Sequence, residues 1–219
     1  MNSEQQKIIE KTAEEVKRRF EGEGSGHDWS HIFRVWNMAK QICADEKADK
    51  FTVELAAILH DIADWKFHNG DETAGPKAAR EILQKYSVQK DIISQVCDII
   101  ANISFKGAVV KNEIKTLEGK IVQDADRLEA IGAIGIARAF AYGGHKNRPI
   151  YEPDKKPVAH QSKESYFKNE SSTINHFYEK LLLLKYRMNT ETGKKMAEGR
   201  HRFMEQYLEK FLQEWDGKN

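Results

Sequence analysis

The chain is poor in proline, poor in cysteine and close to electrically neutral. Four prolines in 219 residues argue against many short strands joined by tight turns and leave room for long helices. The two cysteines, Cys43 and Cys97, fall inside apolar helical patterns. They read as reduced core thiols of a cytoplasmic protein rather than as a disulfide framework. Lys and Arg number 35 against 34 Asp and Glu, a net charge of +1, which excludes the broad basic field of a nucleic-acid-polymer binder or a polybasic membrane anchor. No apolar run approaches the roughly 18 to 20 residues that span a bilayer, so no membrane partner is expected. The stretch Met1 to Lys7 has no apolar signal-peptide core. A phosphate-cradling loop of the nucleotide-kinase type is also missing, because Gly22 to Gly26 is not followed by Lys-Ser/Thr.

What the sequence does have is helical period. Residues 3–20 place Ile8, Ile9, Ala13, Val16 and Phe20 on one face, and the glycine-rich run 22–26 ends that helix. A second helix is expected from about Asp28 to Ala44, with Ile32, Val35, Ala39 and Ile42 as its apolar stripe. A third starts at Thr52 as N-cap and is apolar nearly all round through Leu59, the pattern of a buried helix. Asp71 is read as the cap of a fourth, and a fifth spans about Val88 to Ile103. A sixth, from about Lys115 to Ile131, continues or kinks at Gly132 and Gly135 into the run 136–140. Three of the four prolines fall between Gly143 and Lys168, which marks a long surface loop near residues 143–170. Two more helices, Ser172 to Met188 and Thr190 to Trp215, close the chain. With no repeat and no linker between halves, the reading is one all-α domain over residues 1–219. Its core lies at 25–140, and the C-terminal helices at 171–216 pack on it.

Several chemically active side chains fall on these buried helices. His31 lies in or near the stripe of the second helix, His60 and Asp61 end the most apolar one, and Asp124 and Asp126 interrupt the sixth. An unpartnered polar group taken out of water costs about 2 to 7 kcal/mol, so such groups satisfy one another or a cation. A divalent metal does this. Imidazole and carboxylate donors without thiolate suit Mn, Fe, Co, Ni or Zn. His60 and Asp61 are about 100° apart on an ideal helix, but at a helix end both can turn to one ion, and His31 and Asp126 would complete it. An octahedral ion so held keeps open positions for water and substrate. Residue by residue, the plainer alternatives remain: His31 as a hydrogen-bonded core histidine, and Asp124 and Asp126 as partners of Arg127 or Arg138.

The ordered strings His27-Asp28-Trp29-Ser30-His31, then Ala57-Ile58-Leu59-His60-Asp61-Ile62, then Asp124-Ala125-Asp126-Arg127-Leu128-Glu129 resemble the HD-domain metal-dependent phosphohydrolases. That family's signature is His, His-Asp, Asp. The C-terminal segments around Asn175-His176-Phe177 and Met188-Asn189-Thr190 are similar to a bacterial single-domain subgroup that includes nucleotide pyrophosphohydrolases. The resemblance implies an all-helical bundle of the HD type around one divalent metal on His31, His60, Asp61 and Asp126. Asp124, about 200° round the helix from Asp126, would instead buttress a ligand histidine. Manganese is the expected ion, with Ni, Co, Fe, Zn or Mg as alternatives.

The resemblance further implies a metal-activated water attacking a phosphate ester or anhydride. The leading substrate is a nucleoside triphosphate cleaved to monophosphate and pyrophosphate. The alternatives are a nucleoside monophosphate phosphatase and a metal-containing nucleotide-binding regulatory module. The His-Asp-x-Gly-Lys run of cyclic-dinucleotide phosphodiesterases is absent, since His60-Asp61 is followed by Ile62-Ala63-Asp64. Asp64 is expected to hold the attacking water, and His27, one turn before His31, to contact phosphate or donate a proton. Lys66, Lys106, Lys146 and Arg148 are candidates to neutralise phosphate charge; the plain alternative for each lysine is a solvated surface charge. Trp29, Trp36 and Trp65 flank the motifs as packing residues or base-stacking surfaces. The expected partner is a small phosphate ester, a nucleotide, in a chain that pairs as a homodimer.

Overall fold

The computed structural model describes residues 1–21, 28–63, 71, 73–103, 114–158 and 171–218. Among the described residues every regular element is helical: α1 (Ser3–Arg19), α2 (Trp29–Glu46), α3 (Lys50–Leu59), α4 (Ala74–Lys85), α5 (Lys90–Ile103), α6 (Leu117–Glu129), α7 (Gly132–His145), α8 (Thr173–Glu179), a 3₁₀ helix (Leu181–Arg187) and α9 (Glu191–Trp215). They divide into two compact units that meet within α6, the first ending at Asp126 and the second beginning at Arg127.

In the first unit α3 is the central element, packed against α1, α2 and α5, while α4 packs on α5. Its side chains explain this position: Phe51 to Leu59 are buried without interruption. Leu55, Ile58 and Leu59 have no exposed surface, and each contributes roughly 2 kcal/mol by leaving water. The helix starts earlier than its apolar run suggests. Asp49, not Thr52, is the N-cap, and its carboxylate accepts from the Thr52 amide at 2.9 Å. Asp71 likewise works one turn ahead of its helix. It takes the Thr73 amide and hydroxyl at 2.8 and 2.6 Å, and α4 begins at Ala74. A carboxylate cluster point ties α1 to the end of α4: Glu15 accepts from Lys85 and Tyr86, each at 2.7 Å, and from Arg19 at 2.9 Å.

In the second unit α9 packs on α7 and on the 3₁₀ helix. α7 begins at Gly132 with φ +77, a left-handed conformation that glycine adopts without strain. The turn between α6 and α7 is thus a true break rather than a kink. A Cβ at Gly132 would lie 3.0 Å from Cγ of Arg200, and one at Gly135 would lie 2.2 Å from the Ala130 carbonyl oxygen. Arg200 donates to the Leu128 carbonyl, Arg127 to the Arg187 carbonyl, and Arg138 pairs with Glu129. α7 runs on to His145, past the Gly143-Gly144 pair read from sequence as the start of the loop. Gly143 serves a close approach instead, since a Cβ there would meet Thr173 Oγ1 at 2.2 Å.

The expected single helix 172–188 is interrupted. α8 ends at Glu179, Lys180 takes φ −140, and the leucines continue as a 3₁₀ helix. A period of three puts Leu181 and Leu184 on one face, and these two are buried while Leu183 is exposed. The caps Ser172 and Thr190 are where the sequence places them. Aromatic rings run along the last helix: Phe177 stacks on Tyr207 at 6.0 Å, and Tyr151 meets Phe211 and Trp215 edge-on at 6.0 and 5.1 Å.

Candidate metal centre

All four expected ligands sit at helix ends. His31 is in the first turn of α2, whose N-cap is Asp28. His60 and Asp61 follow the last residue of α3, and Asp126 lies in the last turn of α6. α2 packs on α3, and the ring of His31 meets that of His60 edge-on at 5.1 Å between centroids.

The four side chains converge. The Nε2 atoms of His31 and His60 are 3.2 Å apart. Asp61 Oδ2 is 3.4 Å from His31 Nε2 and 3.7 Å from His60 Nε2, and Asp126 Oδ1 is 3.7 and 3.9 Å from the same atoms. Ligand atoms of His31, His60 and Asp126 all fall within 4.8 Å of one another, a group that does not take in Asp61 although its carboxylate reaches both imidazoles. The two imidazoles are 1–2% exposed, whereas Asp61 is 16% and Asp126 36% exposed. The site therefore has a buried nitrogen floor and an oxygen rim that opens to solvent.

The donor geometry fits a metal ion. Most of these separations exceed the 2.7–3.2 Å of a good hydrogen bond. They match the spacing of ligands around one ion: with bonds of about 2.0 to 2.2 Å, donors at right angles are about 3 Å apart and tetrahedral ones about 3.5 Å. His60 is also held in the right tautomer. Its Nδ1 is 2.8 Å from the carbonyl oxygen of Ala57, and a carbonyl can only accept, so Nδ1 carries the proton. The lone pair of Nε2 then points into the cluster. α3 makes this possible by ending at Leu59, because carbonyls of a last helical turn lack intrahelical partners.

His27, Asp64, Lys66, Lys106 and Trp65 lie outside the described residues. Lys146 and Arg148 follow the end of α7 in the second unit, with their charged groups 5.8 and 5.6 Å from the centre of the Tyr142 ring. Asp124 is fully buried. Trp36 takes a packing role: its indole N–H donates to the buried Glu54 at 2.8 Å. Asp28, the Ala57 carbonyl and Tyr142 were not singled out from the sequence. Asp28 was detectable as an Asp just ahead of an apolar-periodic helix, whereas a backbone acceptor leaves no trace in side-chain identity.

Comparison with known proteins places these residues in context. Residues 28–131 match the HD domain, a span that contains all four converging side chains. YpgQ of Bacillus subtilis is 40% identical over 188 residues, covering 85% of this chain and 83% of that protein. A crystal structure of YpgQ in complex with ADP superimposes with a TM-score of 0.77 at 35% identity over 96% of both chains. An HD-superfamily hydrolase from Bacillus thuringiensis is 45% identical over 98% of this chain and 100% of its own, with a TM-score of 0.78. A protein from Lactobacillus plantarum reaches 0.83 at 35% identity, over 100% of both chains. No helix among the described residues is long and apolar enough to cross a membrane.

Proposed function

The chain belongs to the HD-domain family, and from that premise we propose that it is a cytoplasmic metal-dependent phosphohydrolase acting on nucleotides, with nucleoside triphosphates as substrates and pyrophosphate as a product. The observation that carries the proposal is the convergence of two buried imidazoles, 3.2 Å apart, with the carboxylates of Asp61 and Asp126 at 3.4–3.9 Å. The complex of its relative YpgQ with ADP supports a nucleotide ligand.

His31, His60, Asp61 and Asp126 would hold one divalent ion. Manganese suits this mixed nitrogen and oxygen set without thiolate, and Ni, Co or Fe are its nearest competitors. Such an ion supplies Lewis acidity and lowers the pKa of a water molecule toward neutrality. The chain itself orients the donors. Ala57 fixes the His60 tautomer, α2 and α3 bury the imidazoles, and the exposed carboxylate rim leaves one side for substrate. Asp64 is assigned to orient the attacking water and His27 to the phosphate or leaving group. Lys66, Lys106, Lys146 and Arg148 are assigned to offset phosphate charge, the main requirement of phosphoryl transfer.

The test is a screen of nucleoside mono-, di- and triphosphates against Mn, Co, Ni and Mg with product identification. Pyrophosphate from a triphosphate is the expected result. Orthophosphate from monophosphates would replace the substrate assignment with a phosphatase. Loss of fold on chelation, with no turnover of any ester, would overturn the enzyme and leave a metal-stabilised binding module.

A further inference from the structure

The chain contains two His-Asp pairs, His27-Asp28 and His60-Asp61, and the structure gives their aspartates different work. Asp61 faces the imidazole cluster. Asp28 has extended backbone, φ −89 and ψ 176, and its side-chain Oδ1 accepts from the backbone N–H of His31 at 2.9 Å. Its carbonyl accepts from Ile32 at 3.2 Å. We infer that Asp28 is a positioning residue for His31: its cap fixes the first turn of α2 and with it the distance of the His31 imidazole from the other three donors. The inference rests on the metal-site reading above.

Three observations carry it. His31 is the third residue of α2, so no earlier turn of the helix holds its backbone, and its N–H is one of the donors left without an intrahelical partner at a helix start. His31 is 1% exposed with its Nε2 only 3.2–3.7 Å from His60, Asp61 and Asp126, so a backbone shift of a few tenths of an ångström changes all three spacings together. The residue before the cap is His27, and the run before that is Gly22-Glu23-Gly24-Ser25-Gly26. This sequence offers no apolar residue to staple the chain onto the helix. The cap therefore carries the placement that a staple shares in other helices.

The experiment compares metal-free wild type with Asp28→Asn, Asp28→Ser, Asp28→Ala and Asp28→Gly. Each is titrated with Mn by calorimetry, alongside far-UV circular dichroism and urea unfolding. Asn and Ser cap as well as Asp, whereas Gly lacks the side chain but suits the backbone and costs the helix little. The expected result is an approximately ten-fold rise in the Mn dissociation constant for both Ala and Gly, with Asn and Ser within about two-fold of wild type. Because Gly removes the hydrogen bond with little loss of stability, it keeps the test decisive if the Ala variant fails to fold. Wild-type affinity in the Gly variant overturns the inference, as does equal loss in Asn and Ser, which would assign the effect to charge. Absence of Mn, Co and Ni binding in the wild type would instead refute the metal-site reading, and the role of Asp28 with it.

Discussion

His60 has one arrangement that satisfies both ring nitrogens while neutral: Nδ1–H on the Ala57 carbonyl and the Nε2 lone pair toward His31, Asp61 and Asp126. Asp61 touches both imidazoles at 3.4 and 3.7 Å yet lies beyond the end of α3, so its side chain can be removed without breaking a helix. Asp61→Ala is expected to weaken Mn binding by at least about ten-fold and to abolish phosphate-ester turnover, with an unchanged far-UV spectrum. Calorimetry, a product assay and circular dichroism check the three parts, and full activity in the variant would remove Asp61 from the site. The convergence of these residues was legible in the sequence because each is a polar side chain set against an apolar stripe, where burial demands a partner. The tautomer lock was not, since any residue at position 57 would offer the same carbonyl. Taken one residue at a time, the sequence left the pairing of Asp126 with Arg138 open beside a metal site, and it was the resemblance of the three ordered motifs that favoured the metal. In the folded chain Arg138 pairs with Glu129, three residues further along α6.

Among the helices, glycine chemistry separates close approach from flexibility. Gly143 lies in α7 where a Cβ would meet the buried Thr173 hydroxyl at 2.2 Å, whereas Gly199 lies exposed in α9 with nothing within 4 Å. Gly143→Ala is expected to destabilise by about 1 to 3 kcal/mol through overpacking. Gly199→Ala should stabilise by up to about 1 kcal/mol, the helix-interior difference between the two residues. Urea titrations of the two single variants read both signs, and a neutral Gly143→Ala would mean that α7 and α8 can part without cost. The same glycines show where element boundaries escaped the sequence. Gly143-Gly144 reads as a breaker pair, but tight contact with α8 requires a small residue there inside a helix. Four consecutive leucines at 181–184 read as α-helix, and only the burial of Leu181 and Leu184 reveals the three-residue period. Asp49 and Thr52 were both chemically able to cap α3, and an apolar run starting at Val53 favoured the wrong one. The central helix itself was plain, because residues apolar on every side have only one place to go.

For the molecule as a whole, the response to acid is set in part at Glu15. Burial pushes its carboxyl up, but hydrogen bonds from Lys85, Tyr86 and Arg19 reverse this and leave its pKa lowered from 4.5 to about 2. A carboxylate depressed on folding contributes stability above its unfolded pKa and loses that contribution as pH falls toward the folded value. Glu15→Gln should therefore cost stability at pH 7, about 1 kcal/mol after solvent screening. The gap to wild type should close between about pH 4.5 and about pH 2. Melting temperatures at stepped pH measure it, and a constant gap across that window would exclude Glu15 as the titrating group. The all-helical class was legible at this scale from proline scarcity and apolar period alone, and the family from three ordered motifs. The division of the chain within α6 leaves no break in the sequence, because Ile121, Val122, Ala125 and Leu128 keep one apolar face across it despite the intervening Asp124 and Asp126.

The ring ladder along α9 has an optical consequence. Trp29, Trp36 and Trp65 all precede that division, and Trp215 alone follows it, edge-on to Tyr151 and stacked on Phe211. A chain keeping only this last indole would emit from one half and stay silent about the other. Comparing its emission with total ellipticity during denaturation would show whether both halves melt as a single event.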